Sequence, residues 1–317
     1  MVIFQRKLIY MGYIPPGARS EQLRDVRVPK AIHCEEIQVP SEKRVMLAGI
    51  VVRPASHIGD SPPDAVVLYL QGNAGNPLAR MPVFERLLGV SSRLGPQPKA
   101  RNIAVVAVAP RSYWKSSSRI PTERGLAKDY EHVLSYVRHR FPSSIIVLYG
   151  HSLGGAIAVC LASRLSGSEY PAVLGMILEN PFSSIPGMVR ALYPQRWLPY
   201  HYLTPFVLDK WNALAAMQTA RDRPECLLAR LSKNMLVLLS EKDEVVPTSM
   251  GADLYDASND WSSAAGEDVP VDWELKRRVV IQDALHENAW EERQWLREIH
   301  TYLDRLQQME LRRRVVT

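Results

Sequence analysis

Short strand candidates, most of them apolar, alternate along this chain with stretches whose apolar residues recur at helical spacing. The candidates fall near residues 33–39, 45–52, 65–70, 103–109, 145–149, 173–178, 235–240 and 278–282. Apolar runs of that length predict strands buried on both faces, as in a parallel sheet covered by helices. The first two predict an antiparallel start. Between them and the later runs, Leu126, Tyr130, Val133, Leu134 and Val137 lie on one helical face, with Thr122 placed to cap its start. The alternation predicts an α/β fold: a mostly parallel eight-stranded sheet with helices on both faces. After the sixth run the pattern breaks. Residues 183–230 are rich in Pro, Trp and Tyr and show no strand alternation, which predicts a small cap-like insertion. Its aromatics (Tyr193, Trp197, Tyr200, Tyr202, Phe206, Trp211) either line an acyl pocket or pack the cap onto the domain. Segments 91–101 and 257–272 read as loop insertions, and no internal repeat is evident. A chain of 317 residues can bury one large core, so residues 1–317 form a single domain with 183–230 inside it.

The fifth run leads into Gly-His-Ser-Leu-Gly and then into helix formers, SIIVLYGHSLGGAIAVCL over 144–161. A serine on a sharp strand-to-helix turn is held at strained backbone angles, and small residues two before and two after it avoid a clash. Gly150 and Gly154 occupy those places around Ser152, and Gly155 lets the helix approach the sheet. Such a serine needs a base and an acid, which follow it in the order carboxylate, then histidine. NMLVLLSEKDEVVP (234–247) ends a strand in a turn offering Asp243, and RRVVIQDALHENAW (277–290) ends another offering His286. Ser152, Asp243 and His286 are the candidate triad. Glu241, Glu244 and, one strand earlier, Glu179 are alternative acids. His151 leaves the turn in another direction from the nucleophile. His132, His139 and His300 sit on helical patterns of mixed charge and read as surface residues, and His33, His57 and His201 have no supporting context.

Acyl transfer also needs amide donors for the oxyanion. Leu153, directly after the serine and at the positive end of its helix, supplies one. The second comes from the loop after AVVLYLQGNAGN (65–76), where Gly72 permits a tight turn and the amide of Asn73 or Ala74 faces the site. The loop is not a phosphate loop, since G-x-x-x-x-G-K-[ST] is absent.

Taken in order, FQRKLIY (4–10), GNAGN (72–76), PTERGLAKDY (121–130), YGHSLGGAIA (149–158), ENPFSSIPGM (179–188), LSEKDEVVP (239–247) and LHENAW (285–290) resemble the Bem46-type α/β-hydrolases over nearly the whole chain. The resemblance implies the α/β-hydrolase fold, a serine hydrolase of esters or thioesters, and a triad on Ser152, Asp243 and His286. More distant relatives remove palmitoyl groups from proteins, so a lipid thioester is a candidate substrate by analogy. Two departures stand out. Where the family carries Asp-Tyr-Arg-Gly-Tyr-Gly-x-Ser, this chain reads APRSYWKS (109–116), with Ser112 and Trp114 in place of two glycines; a differently shaped loop or a narrowed pocket is expected. The family also tends to carry a membrane anchor ahead of the FQ-x-KLIY stretch, and this sequence begins almost on it.

Composition narrows the partners. Net charge is +6 and the basic residues are spread out except for Arg312–Arg314, without interleaved aromatics, which argues against nucleic-acid binding and leaves a peripheral membrane contact open. Cys34, Cys160 and Cys226 are too scattered for a disulfide framework or a zinc site, and no metal or nicotinamide motif is present, so no cofactor is expected. Cys160, on a helix apolar all round, reads as a structural thiol. There is neither an apolar run long enough to span a bilayer nor a secretion signal, so the expected location is intracellular, cytoplasmic or peripherally membrane-associated. The opening MVIFQRKLIYMGYI lies on a membrane or packs on the domain's own surface. The substrate is expected to be a small molecule or a lipid acyl group. A non-catalytic scaffold and a peptidase or amidase on the same fold are the alternatives.

Overall fold

A computed structural model describes residues 5–59, 62–90, 100–195, 204–259 and 275–316. The eight strand candidates become β1 (Ile32–Pro40), β2 (Met46–Pro54), β3 (Ala65–Leu70), β4 (Ile103–Val108), β5 (Ile145–His151), β6 (Val173–Glu179), β7 (Met235–Ser240) and β8 (Arg277–Ile281). They form one sheet in the order β1-β2-β4-β3-β5-β6-β7-β8. β1 pairs antiparallel with β2, and β2 with β4; every other pairing is parallel. Every residue of β3 to β7 is buried, so both faces of the central sheet are covered, as unbroken Val, Ile and Leu runs require.

The helices are α1 (Gln5–Ile9), α2 (Met81–Leu87), α3 (Glu123–Arg140), α4 (Leu153–Ala162), α5 (Ile185–Leu192), α6 (Ala213–Ala220), α7 (Leu227–Leu231), α8 (Thr248–Asn259) and α9 (Arg293–Val316). α3 touches α4, α4 touches α6 and α7, and α6 touches α8, while α2 packs with α9. α3 follows its sequence signal: Thr122 Oγ1 accepts from the Gly125 amide at 3.0 Å, and all five residues of its apolar face are buried. Cys160 is buried on α4, and burial pushes its thiol up to about 12, as befits an inert structural cysteine.

The N-terminal segment packs on the domain. Arg6 Nε lies 2.9 Å from Asp209 Oδ2, the Gln5 side chain accepts from the Leu208 amide, and the Trp211 indole donates to the Tyr10 hydroxyl at 2.9 Å. Trp211 is therefore a core residue, whereas Phe206 is exposed. Trp197, Tyr200 and Tyr202 lie outside the described residues, as do most of the expected loop insertions (91–99 and 260–274). Among the described residues no helix is long and apolar enough to cross a membrane.

Candidate active site

Because all parallel strands point the same way, the loops after β3, β5, β7 and β8 gather at one edge of the sheet. Ser152 joins β5 to α4 with φ 53° and ψ −117°, angles a non-glycine residue adopts only under constraint. The constraint is visible in the neighbours. The Ser152 amide donates to the Glu179 carbonyl at 2.9 Å, and a Cβ on Gly154 would meet the Leu70 carbonyl oxygen at 1.9 Å. The helix thus presses directly on the backbone of β3, and only glycine permits it. Ser152 keeps 8% of its surface exposed at this edge. Leu153 begins α4, so its amide is among the N–H groups that a helix leaves without an internal acceptor.

The loops after β7 and β8 are tied to each other by backbone bonds from Glu241 to Ile281 and from Lys242 to Ala284, both 2.9 Å. That pairing brings Asp243 to His286. His286 Nδ1 lies 2.8 Å from Asp243 Oδ2 and 3.0 Å from Oδ1, with both side chains buried. Asp243 Oδ1 also accepts from the amides of Val245 (2.9 Å) and Val246 (2.7 Å), which fix the carboxylate in its turn. With Nδ1 engaged, Nε2 is the imidazole nitrogen left for other work.

The backbone of His286 is held as firmly as its ring. Its amide donates to Glu244 Oε2 at 3.0 Å, and its carbonyl accepts from Asn180 Nδ2 and from His151 Nε2, each at 3.0 Å. Asn180 sits at φ 47° and also bonds Ser240 through both ends of its amide. The His151 ring lies 5.0 Å, centroid to centroid, from that of His286. Burial, reinforced by the nearby Arg80 guanidinium, pushes the His151 pKa down; a neutral ring carrying its proton on Nε2 suits the bond to the His286 carbonyl. Glu287 pairs with Arg80; burial alone would raise its carboxyl, but the group is held below the usual range, with the Arg80 guanidinium beside it.

The alternative acids are occupied elsewhere. Glu179 accepts from Tyr149 and, at 3.2 Å, from the Trp295 indole, and Glu241 accepts from the Asp283 amide. Asn73, on the loop after β3, has its carbonyl bound by the Met11 amide at 2.7 Å and by the Tyr113 hydroxyl at 3.0 Å. A Cβ on the preceding Gly72 would lie 3.7 Å from Ser152 Cβ, so this loop borders the serine. Among the described residues, the His151, His286 and Glu287 ligand atoms lie within 4.8 Å of one another, which makes them the one cluster with metal-ligating spacing. Hydrogen bonds already engage His286 Nδ1 and His151 Nε2.

Residues 72–316 match the model of the alpha/beta hydrolase family. The chain belongs to the alpha/beta hydrolase family. Within it, the chain is 27% identical over 248 residues to the protein bem46 of Schizosaccharomyces pombe, covering 77% of this chain and 71% of that one. It is 33% identical over 200 residues to the lysophosphatidylserine lipase ABHD12 of Gallus gallus, covering 62% of this chain and about half (48%) of that longer protein. Among solved structures, an esterase of Pyrococcus furiosus superposes with a TM-score of 0.58 at 18% identity, covering 89% of this chain and 97% of that one, a likeness of fold.

As a Bem46-type α/β hydrolase, the chain departs from its family in the 109–116 loop, where Ser112 and Trp114 stand in place of two glycines. Ser112 (φ 69°) and Trp114 (φ 40°) both take the left-handed backbone that the family's glycines would adopt freely. Side-chain bonds hold them there: Ser112 Oγ donates to the Arg119 carbonyl at 2.6 Å, and the buried Trp114 indole donates to the Glu21 carbonyl at 2.8 Å. Arg111, between them and β4, forms a two-pronged pair with buried Asp129 at 2.8 and 2.7 Å. One expectation is corrected at His300, which the sequence placed on the surface. It is buried, its Nε2 lying 3.2 Å from the carbonyls of both Arg86 and Leu87, because α9 lays that face against α2. His151, which the sequence set aside as leaving the turn in another direction from the nucleophile, and Asn180, which it did not single out, both brace His286 and both lie in stretches that resemble the family.

Proposed function

We propose that this α/β hydrolase cleaves carboxylic esters, thioesters included, through an acyl-enzyme on Ser152. The observation that carries the reading is the Asp243–His286 pair, which leaves Nε2 free at the sheet edge where Ser152 is presented. His286 takes the serine proton as Ser152 attacks the acyl carbonyl, then delivers it to the departing alcohol or thiol. Asp243 keeps the imidazole in the working tautomer and stabilises it once charged. The amides of Leu153 and Asn73 stabilise the oxyanion. Water then enters, loses its proton to His286 and releases the acid.

The substrate class follows from the relatives rather than from the site alone. One relative is a lysophosphatidylserine lipase, so esters of long-chain acids are the favoured substrates, with acyl thioesters as a further class. Within residues 183–230, the part that begins with α5 directly after β6 is assigned as a cap over this edge, while α7 lies at the far end of α4.

Turnover of a panel of p-nitrophenyl esters, acyl thioesters and peptide amides tests the reading. Ester hydrolysis that falls at least about 10³-fold in Ser152→Ala supports it. Turnover confined to peptides, or unchanged in Ser152→Ala, overturns it.

A further inference from the structure

An open cleft of about 640 Å³ lies between the N-terminal segment and the loop after β4. Its lining includes Arg6, Lys7, Arg19 and Arg119 and no acidic residue. Arg6 is paired with Asp209, but among the described residues the exposed guanidiniums of Arg19 and Arg119 have no ion-pair partner. Large apolar side chains stand around this charge. Tyr13 and Ile120 line the cleft and are exposed, Ile120 at 72%. Leu8 and Ile14 are exposed beside them in the chain, and Phe206 and Leu208 are exposed where Gln5 bonds their backbone. A surface that mixes unpaired cations with exposed aliphatic and aromatic tips matches the interface of an anionic bilayer, where phosphates meet acyl chains.

We propose that this cleft docks the protein on anionic phospholipid membranes, with Arg19 and Arg119 taking headgroup phosphates and Tyr13 and Ile120 entering the interface. One of its walls, the loop after β4, leaves the sheet at the same edge as the Ser152 turn. The two segments that form its walls also hold the loop that carries Asn73, through Met11 and Tyr113 just behind the lining. Docking therefore turns the candidate active site toward the lipid. The binding step itself does not rest on the hydrolase reading, since it is measured without turnover.

The test is co-sedimentation of the full chain with vesicles of phosphatidylcholine alone or of phosphatidylcholine mixed with phosphatidylserine. The wild type pellets with the mixed vesicles and not with the neutral ones. Arg19→Glu/Arg119→Glu loses about tenfold or more in partitioning, as expected for two basic contacts reversed at a charged surface. Arg223→Glu, beside Glu225 at the opposite edge of the sheet, changes the net charge as well but keeps most of the binding. Unchanged melting temperatures and soluble-ester turnover in all variants show that they fold. Equal affinity for both vesicle types, full binding by the double variant, or an equal loss in Arg223→Glu would each overturn the proposal. Release of bound protein by inorganic phosphate at matched ionic strength would assign the cleft to a free anion and overturn it too.

Discussion

His286 Nδ1 faces both carboxylate oxygens of Asp243, at 2.8 and 3.0 Å, while one of those oxygens also accepts the amides of Val245 and Val246. The acid is thus fixed by backbone before it touches the histidine. In Asp243→Asn the side-chain oxygen keeps the two amides and turns an NH2 group toward Nδ1. That forces the proton onto Nε2, where it blocks general-base action. A fall in kcat of about 10³–10⁴-fold with little change in KM is expected from steady-state kinetics on a soluble ester. Retention of most activity would remove Asp243 from the scheme.

Asn180 tests how much the support of His286 matters. It bonds the His286 carbonyl and both the hydroxyl and amide of Ser240 from a left-handed backbone. Asn180→Ala loses these bonds and strains the backbone, and should cost about 2–4 kcal/mol in chemical denaturation. Asn180→Gly removes the strain but not the lost bonds. Both variants are expected to lower kcat by about tenfold at unchanged KM, because the histidine loop loosens. Loss of stability with kcat intact would make Asn180 structural only.

Gly154→Ala places a methyl group 1.9 Å from the Leu70 carbonyl oxygen, with rigid backbone on both sides. Relief requires α4 to move off β3. The expected destabilisation is roughly 3 kcal/mol or more, with loss of activity from the displaced serine turn. A variant as stable as the wild type would contradict the packing of the turn.

His300 gives the fold a pH dependence. Burial, aided by Arg101, lowers its pKa to about 4, so the folded protein keeps it neutral where the unfolded chain protonates it near 6.5. Between those values the unfolded state binds more protons, so stability rises with pH and falls as pH drops from about 6.5 toward 4. His300→Gln, which keeps a donor for the Arg86 and Leu87 carbonyls but does not titrate, should flatten that slope in urea melts. A slope equal to the wild type's would place the effect in other groups.

The elements most legible in the sequence are those set by local rules. Apolar runs marked the buried central strands β3 to β7, stretches interrupted by polar residues marked β1, β2 and β8, and Thr122 with five spaced apolar residues marked α3. What escaped depends on partners far along the chain. His300 is buried by carbonyls from α2, and the choice left open for Trp211, pocket lining or packing, is made by Tyr10 some two hundred residues earlier. Ser112 and Trp114 read as breaks in a glycine pattern, whereas their side-chain bonds hold the glycine-like backbone. In the candidate site, the turn at Ser152 was legible because strand, glycines and helix adjoin. The bracing of His286 by His151 and Asn180 was not, since it runs through a backbone carbonyl that no residue pattern marks.

The most direct measurement is covalent labelling with a fluorophosphonate, located by peptide mass spectrometry. A single adduct on Ser152 is predicted, absent in Ser152→Ala and sharply slowed in His286→Ala. An adduct on another residue, or full-rate labelling of Ser152 in His286→Ala, would contradict the account of a histidine-activated serine.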